Sequence, residues 1–173
     1  LSALPQFFGS IVQLGSSRVI KLFKSRKRAI LTGAILEGAM YLPILLLFIL
    51  NKMTFNWLLF FVTLYLVFGK IIGPIWNSWM GDLVDEKDRG KYFGRRLRIT
   101  GLATFITYLL GGFILESLDS VGMHKSGFVI IFFLAFLFRI GSVIYLAKKF
   151  EPRYRIEEKK KFRIWDFLSK TEF

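Results

Sequence analysis

Residues 128–147 read Phe128-Val-Ile-Ile-Phe-Phe-Leu-Ala-Phe-Leu-Phe-Arg-Ile-Gly-Ser-Val-Ile-Tyr-Leu-Ala147, and the only charge among them is Arg139. About 20 such residues form a helix that crosses a hydrocarbon core of about 30 Å. The stretch lacks the period-two alternation of a barrel strand, and lipid tolerates only helices and closed barrels. Four further apolar runs lie at residues 1–22, 29–50, 55–80 and 99–115, the last a little short. The sequence therefore predicts an all-α polytopic membrane helix bundle with five transmembrane helices.

The connections between these runs alternate in charge. Basic segments follow the first, third and fifth runs, whereas the other two connections carry one lysine each, Lys52 and Lys125. Short loops rich in Lys and Arg stay in the cytoplasm. We therefore expect a multi-pass protein of the cell membrane whose basic loops are cytoplasmic.

The basic segment after the last run is predicted to be a separate region. We expect residues 1–149 to form the bundle and residues 150–173 to form a cytoplasmic linker. Phe162, Trp165 and Leu168 recur every third residue among cations. This pattern favours a short amphipathic helix on the inner leaflet. A disordered basic tail is the alternative, because the segment is short and strongly charged.

Composition excludes several function classes. Of the 173 residues, 54% are hydrophobic, which is more than in an ordinary soluble domain. The net charge of +13 does not indicate nucleic-acid binding, because the cations lie at the ends of apolar runs, where anionic lipid headgroups attract them. There is no Cys, and His124 is the only His, so we expect no metal site and no cofactor. The carboxylates are grouped with cations, so we expect no enzyme active site.

Two of the runs carry polar stripes. Gln6, Ser10 and Gln13 are spaced so that they share one face of the first helix. Thr100 and Thr104 begin a similar stripe on the fourth helix. Such residues either pack between helices or line a water-filled cavity. The two glutamines favour a cavity for the first helix, whereas packing is favoured for the fourth.

Three ionisable residues lie inside the runs at a common depth. At a rise of 1.5 Å per residue, Glu37, Lys70 and Arg139 lie about 14 to 15 Å from the basic ends of their helices. A lone charge at the bilayer centre costs about 2.5–3.5 kcal/mol on insertion scales. Glu37 is therefore predicted to pair with Lys70 or with Arg139, or the three residues border a polar cavity.

The connection after the third run carries a family resemblance. It reads Gly81-Asp-Leu-Val-Asp-Glu-Lys-Asp-Arg-Gly-Lys-Tyr-Phe-Gly-Arg-Arg96 and follows Gly73-Pro-Ile-Trp-Asn-Ser-Trp-Met80. An acidic stretch, an Arg-Gly step and a basic cluster opening a glycine-containing helix resemble the connection between the fourth and fifth helices of major facilitator superfamily transporters. Residues 1–15 are similar to the second helix of that family.

The resemblance departs from the family at one loop. Ser25-Arg-Lys-Arg28 lies where the family's signature cytoplasmic loop ends in its basic cluster, but the acidic residue that normally precedes it is absent between Gly15 and Arg28. In a competing alignment, residues 81–96 are themselves the signature loop, because Gly81 and Asp85 have its spacing. That alignment leaves the first two helices without a place.

The resemblance implies where the chain lies in the family fold. It corresponds to the second to sixth helices of the N-terminal six-helix half and the start of the central linker. Placement in the second half is the alternative. We therefore expect the first helix and the C-terminal half to be absent partners, and we expect contacts with the lipid bilayer and a small solute but not with nucleic acid.

The function that the resemblance implies is secondary active transport of an unidentified small solute by alternating access. The third run corresponds to a cavity-lining helix, so Lys70 either forms a structural bridge with Glu37 or reaches the cavity and contacts an anionic group of the substrate. A membrane scaffold or a membrane-embedded enzyme is the alternative function. The candidate cavity residues are Gln6, Ser10, Gln13, Lys70, Asn77 and Thr104.

The loop after the third run has two interpretations. It is either a solvated basic loop near the lipid or a set of switchable ion pairs that closes the inner side in one state. The candidate gating residues are Asp82, Asp85, Arg89, Gly90, Arg95 and Arg96.

Overall fold

The computed structural model describes residues 3–152, which form seven α-helices and one 3₁₀ turn. This part of the chain contains no strand, so the prediction of an all-α bundle is confirmed. The predicted linker beyond residue 152 lies outside the described residues. The elements are α1 (Ala3–Gln13), α2 (Ser16–Phe23), α3 (Arg26–Ala39), α4 (Tyr41–Ile49), α5 (Phe55–Leu83), the 3₁₀ turn (Glu86–Asp88), α6 (Arg89–Asp119) and α7 (His124–Lys148).

Within residues 3–152, four segments are long and apolar enough to cross a membrane. They are α3 with α4, α5, the 3₁₀ turn with α6, and α7. The fifth predicted span, residues 1–22, is not confirmed. That run is divided into α1 and α2, and each is shorter than the length that a membrane span requires. The N–H of Gly15 donates to the carbonyl of Val12, a tighter bond than the α-helical one, and the helix is interrupted there.

Two of the spans contain a proline, and only one of them is divided. Pro43 offers no N–H to the carbonyl of Ala39, and the second predicted run accordingly divides into α3 and α4 at Met40. Pro74 lies inside α5 and offers no N–H to the carbonyl of Lys70, but α5 continues through it.

The fourth predicted helix differs from the observed one at its start. We predicted residues 99–115, whereas α6 begins at Arg89 and takes in most of the basic connection. Its first two turns are rich in Arg and Lys, and both are good helix formers. The predicted loop is therefore short: it consists of Val84, Asp85 and the 3₁₀ turn.

The packing order of the helices places α5 at the centre. One side of α5 packs against α1 and another against α3, while α7 packs against α3 and α4. α6 contacts α7 and has no buried residue in the described part of the chain. We call the end of the bundle that carries the basic connections the basic end. A small core lies there and contains Ala29, Ile30, Ile75, Trp79 and Met80.

Candidate functional site

An ion pair between α3 and α7 lies deep in the bundle. Arg139 donates a hydrogen bond from its guanidinium to Glu37 Oε2, and its Nε donates to the carbonyl of Ala34 at 3.3 Å. The side chain of Glu37 is 9% exposed and that of Arg139 is 22% exposed. Of the two cations that the sequence offered to Glu37, the structure places Arg139 against it. An apolar environment makes such a pair necessary, because either charge alone is costly there.

Lys70 lies apart from this pair, between α5 and α1. A methyl group built on Gly9 of α1 would lie 2.9 Å from Lys70 Cγ, so the Lys70 stem runs directly across that glycine. Lys70 is half-buried and forms no salt bridge within residues 3–152. The structure therefore separates the three charges that were predicted at a common depth into one pair and one cation.

The other two midplane charges also lie against glycines of a neighbouring helix. A methyl group on Gly69 of α5 would lie 3.1 Å from Glu37 Oε1, and one on Gly38 of α3 would lie 2.9 Å from Arg139 Cγ. These glycines were not among the residues predicted to contribute to the site. Their signal was present in the dipeptides Glu37-Gly38 and Gly69-Lys70, each of which joins a charge to a glycine.

A cavity of about 580 Å³ lies beside the ion pair, between α3, α5, α6 and α7. Asn77 lines it together with Glu37, Arg139 and Arg96. The guanidinium of Arg96 stacks on the ring of Trp76, at 3.9 Å from the ring centroid. The predicted cavity residue Asn77 and the predicted gating residue Arg96 therefore line the same cavity as the ion pair.

The remaining cavity candidates do not line this space. Gln6 and Ser10 are exposed on α1, where the Ser10 hydroxyl donates to the carbonyl of Gln6 at 2.8 Å. Gln13 is half-buried on the same helix, and Thr104 is exposed on α6. These positions present polar groups on open faces of two helices that do not pack against one another.

Arg26 forms the main polar contact between α3 and α5 at the basic end. Its side chain is only 1% exposed, and it forms an ion pair at 2.7 Å with Asp82 Oδ2, which is 49% exposed. Its Nη1 also donates to Ser78 Oγ at 3.0 Å. The first residue of α3 is thereby bound to the last turns of α5.

The other predicted gating residues have different surroundings. The Nε of Arg89 donates to the carbonyls of Gly81 at 2.7 Å and Val84 at 3.3 Å, and this closes the connection after α5. Asp85, Gly90 and Arg95 are exposed, and neither charged residue forms a salt bridge within the described ranges. Sequence reasoning missed Arg26 as the partner of Asp82, since the two positions lie far apart along the chain.

The family comparison agrees with this architecture. The family model of the Major Facilitator Superfamily matches residues 1–171. The chain belongs to the Major Facilitator Superfamily. The resemblance seen in the sequence is therefore confirmed, and the chain is a membrane protein of a transporter family. Comparisons with curated proteins and with solved structures gave no match.

Membership of the Major Facilitator Superfamily gives the polar groups of the bundle a context. Members of the superfamily are transporters and not enzymes. Charges inside membrane helices are rare and mark pathways for substrates or ions. Glu37, Lys70 and Arg139 are charged residues within membrane-spanning helices of this superfamily member.

Proposed function

We propose that this protein is a secondary active transporter that moves a small solute by alternating access to a site near the bilayer midplane. Its family membership and its charged groups within membrane-spanning helices support this proposal.

The observation that carries the proposal is the position of Lys70. Its ammonium group belongs to a half-buried side chain at membrane depth, and it has no carboxylate partner in the described part of the chain. A cation at this depth is stabilised when an anion approaches it. In our proposal, Lys70 contacts an anionic group of the transported solute, whereas Glu37 and Arg139 neutralise each other and hold α3 to α7.

We further propose that the basic end faces the cytoplasm and acts as the inner gate. The orientation is supported by the contrast between the basic connections and those with one lysine. The ion pair between Arg26 and Asp82 is the contact best suited to a gate, because it binds the start of α3 to the end of α5 through a short and direct bond. Ion pairs of this kind can form in one state and break in another.

The open polar faces of α1, α5 and α6 form, in this proposal, one wall of the pathway. Gln6, Ser10, Asn77 and Thr104 are all exposed in the described bundle. Polar side chains gain nothing from lipid, so they are expected to face water or further helices. The opposite wall is expected to come from additional helices of the transporter, as in folds whose site lies between two repeats.

The test is an uptake assay with the full-length protein in liposomes. A panel of labelled small anions should include at least one that is taken up saturably, and Lys70→Met should lower its uptake by tenfold or more. Lys70→Arg keeps the positive charge and should retain much of the uptake. Lys52→Met removes an exposed lysine from the connection between α4 and α5 and serves as the matched control. Equal uptake by Lys70→Met and the parent protein would contradict the assignment of Lys70.

A further inference from the structure

The N-terminus of α3 is short of negative charge. Ser25 is its N-cap, and the Ser25 hydroxyl accepts a hydrogen bond from the N–H of Arg28 at 3.0 Å. A capping box would place Glu or Gln at the position of Arg28. The sequence instead places three cations, Arg26, Lys27 and Arg28, at the positive end of the helix dipole. This helix start therefore needs a carboxylate from elsewhere.

Glu151 supplies that carboxylate from the segment that follows α7. The Ser25 hydroxyl lies 2.8 Å from Glu151 Oε2 and donates to it, and the backbone N–H of Lys27 donates to Glu151 Oε1 at 3.0 Å. A carboxylate that accepts N–H bonds at a helix N-terminus is stabilised by the helix dipole and by the charge of the acceptor. The cap of α3 is thus completed by a residue more than 120 positions away.

Two further hydrogen bonds fasten the same segment. The Lys27 ammonium donates to the carbonyl of Lys149 at 2.7 Å, and the indole N–H of Trp79 donates to the carbonyl of Phe150 at 3.2 Å. The ring of Phe150 is 75% exposed, so the segment is held by its carbonyls and by Glu151 and not by burial of that ring. We call residues 149–151 the strap, because they tie the end of α7 to α3 and α5.

We propose that Glu151 takes the place of the acidic residue that the α2–α3 connection lacks, and that the strap is a latch at the basic end of the transporter. The strap and the Arg26–Asp82 ion pair hold the start of α3 from two sides. Its role as a latch rests on the proposed transport function, whereas the strap contacts themselves do not. α7 cannot move away from α3 at this end unless the Glu151 carboxylate leaves Ser25 and Lys27.

Hydrogen exchange measured by mass spectrometry on the purified full-length protein tests the strap. The Lys27 amide lies in the first turn of α3 and has no intrahelical acceptor, so its protection depends on Glu151. Glu151→Ala should raise its exchange rate at least tenfold. Glu151→Gln keeps an acceptor oxygen and should preserve most of the protection. Glu86→Ala removes an exposed carboxylate from the 3₁₀ turn and is the matched control.

Limited trypsin digestion provides a second measurement. Cleavage after Lys149 should be several times faster in Glu151→Ala than in the parent, while cleavage after Lys52, at the opposite end, should be unchanged. If exchange and cleavage in Glu151→Ala were the same as in the parent, the proposed role of Glu151 in the strap would be wrong. Faster exchange that extended over α6 would also contradict it, because it would indicate that the whole bundle had been destabilised. Neither result bears on uptake by Lys70 variants, so failure of the strap is separable from failure of the proposed transport.

Discussion

Replacing Glu37 by Gln should destabilise the bundle by leaving Arg139 without its counter-charge. Gln retains the shape of the side chain and one acceptor oxygen, but the guanidinium then keeps a positive charge in an apolar environment. The carbonyl of Ala34 at 3.3 Å from Arg139 Nε is the only other hydrogen-bond acceptor that the guanidinium has within residues 3–152. The pair is well shielded, as the Glu37 side chain is 9% exposed.

The size of the effect follows from two opposing terms. An uncompensated cation at the membrane centre costs about 2.5–3.5 kcal/mol, and the hydrogen bond that the amide oxygen of Gln can still accept from Arg139 offsets about 1 kcal/mol of that cost. The free energy of unfolding should therefore fall by about 2 kcal/mol. For a chain of 150–250 residues, 1 kcal/mol shifts Tm by about 2–4 °C, so the expected loss is about 4–8 °C. Thermal unfolding of this 173-residue chain in detergent, followed by intrinsic fluorescence, measures it.

Double variants identify the partner. Arg139→Met in the Glu37→Gln background should restore most of the lost Tm, because an apolar replacement of a buried ion pair is often neutral. Lys70→Met in the same background should restore nothing, since the Lys70 stem lies against α1. Glu86→Gln, an exposed carboxylate, is the control and should leave Tm unchanged. Restoration by Lys70→Met and not by Arg139→Met would refute the pairing, as would an unchanged Tm in Glu37→Gln.

Two further predictions concern packing and orientation. Gly9→Ala should lower Tm because its methyl group would lie 2.9 Å from Lys70 Cγ, and such overpacking costs about 1–3 kcal/mol. The same change should leave Tm unchanged in a Lys70→Ala background, and Gly73→Ala, whose methyl group meets open space, should leave Tm unchanged in both backgrounds. If Gly9→Ala lowered Tm in both backgrounds, the cause would be contact between the helices and not the Lys70 side chain. In intact cells, Cys at position 51 should react with an impermeant maleimide, whereas Cys at position 95 should react only after permeabilisation. The reverse pattern would invert the proposed orientation.

The fold class followed from run lengths because lipid leaves few alternatives to a helix. The helix starts were harder to predict. α6 begins at Arg89 because basic residues are good helix formers, although they also mark a connection by their charge. The division of the first run arose at Leu14 and Gly15, where hydropathy alone gives no warning. Average hydropathy reports whether a segment suits the membrane and does not report whether its backbone is continuous.

The midplane residues illustrate what depth can and cannot determine. Counting residues along each helix placed Glu37, Lys70 and Arg139 at one level, but it could not say which helices are neighbours. In the fold, α3 packs against both α5 and α7, so knowing which helices are neighbours would still allow Glu37 to pair with either Lys70 or Arg139. The choice depends on the direction of each side chain around its helix axis, and Lys70 is directed towards α1.

The partners of the basic end were beyond local sequence patterns. The missing acid before Arg28 was visible in the sequence, whereas the role of Ser25 as the cap of α3 was not predicted. The carboxylates that meet this helix start come from Asp82 and Glu151, in two distant segments. A sequence can show that a cluster of cations lacks nearby carboxylates, whereas the carboxylates that pair with it depend on the tertiary fold.

The two residues of the dipeptide Glu37-Gly38 bring α3 into contact with α5 and with α7. Adjacent residues on a helix point about 100° apart, because 3.6 residues make one turn. Glu37 accordingly lies over Gly69 of α5, while Gly38 receives the stem of Arg139 from α7. Glu37 thus packs over α5 while its carboxylate pairs with Arg139 of α7, and Gly38 leaves room for the Arg139 stem.

The dipeptide Gly69-Lys70 repeats this arrangement one helix further on. Gly69 receives Glu37, and Lys70 lies over Gly9, so the series of contacts runs from α7 through α3 and α5 to α1. A Cβ atom on Gly9 or Gly38 would lie 2.9 Å from the side chain of the neighbouring helix, and one on Gly69 would lie 3.1 Å from it, so each contact is close because the residue is glycine. Nothing lies within 4 Å of a methyl group on Gly101 of α6, which stands outside the series. The three glycines therefore let the side chains of Glu37, Lys70 and Arg139 pack closely between α1, α3, α5 and α7.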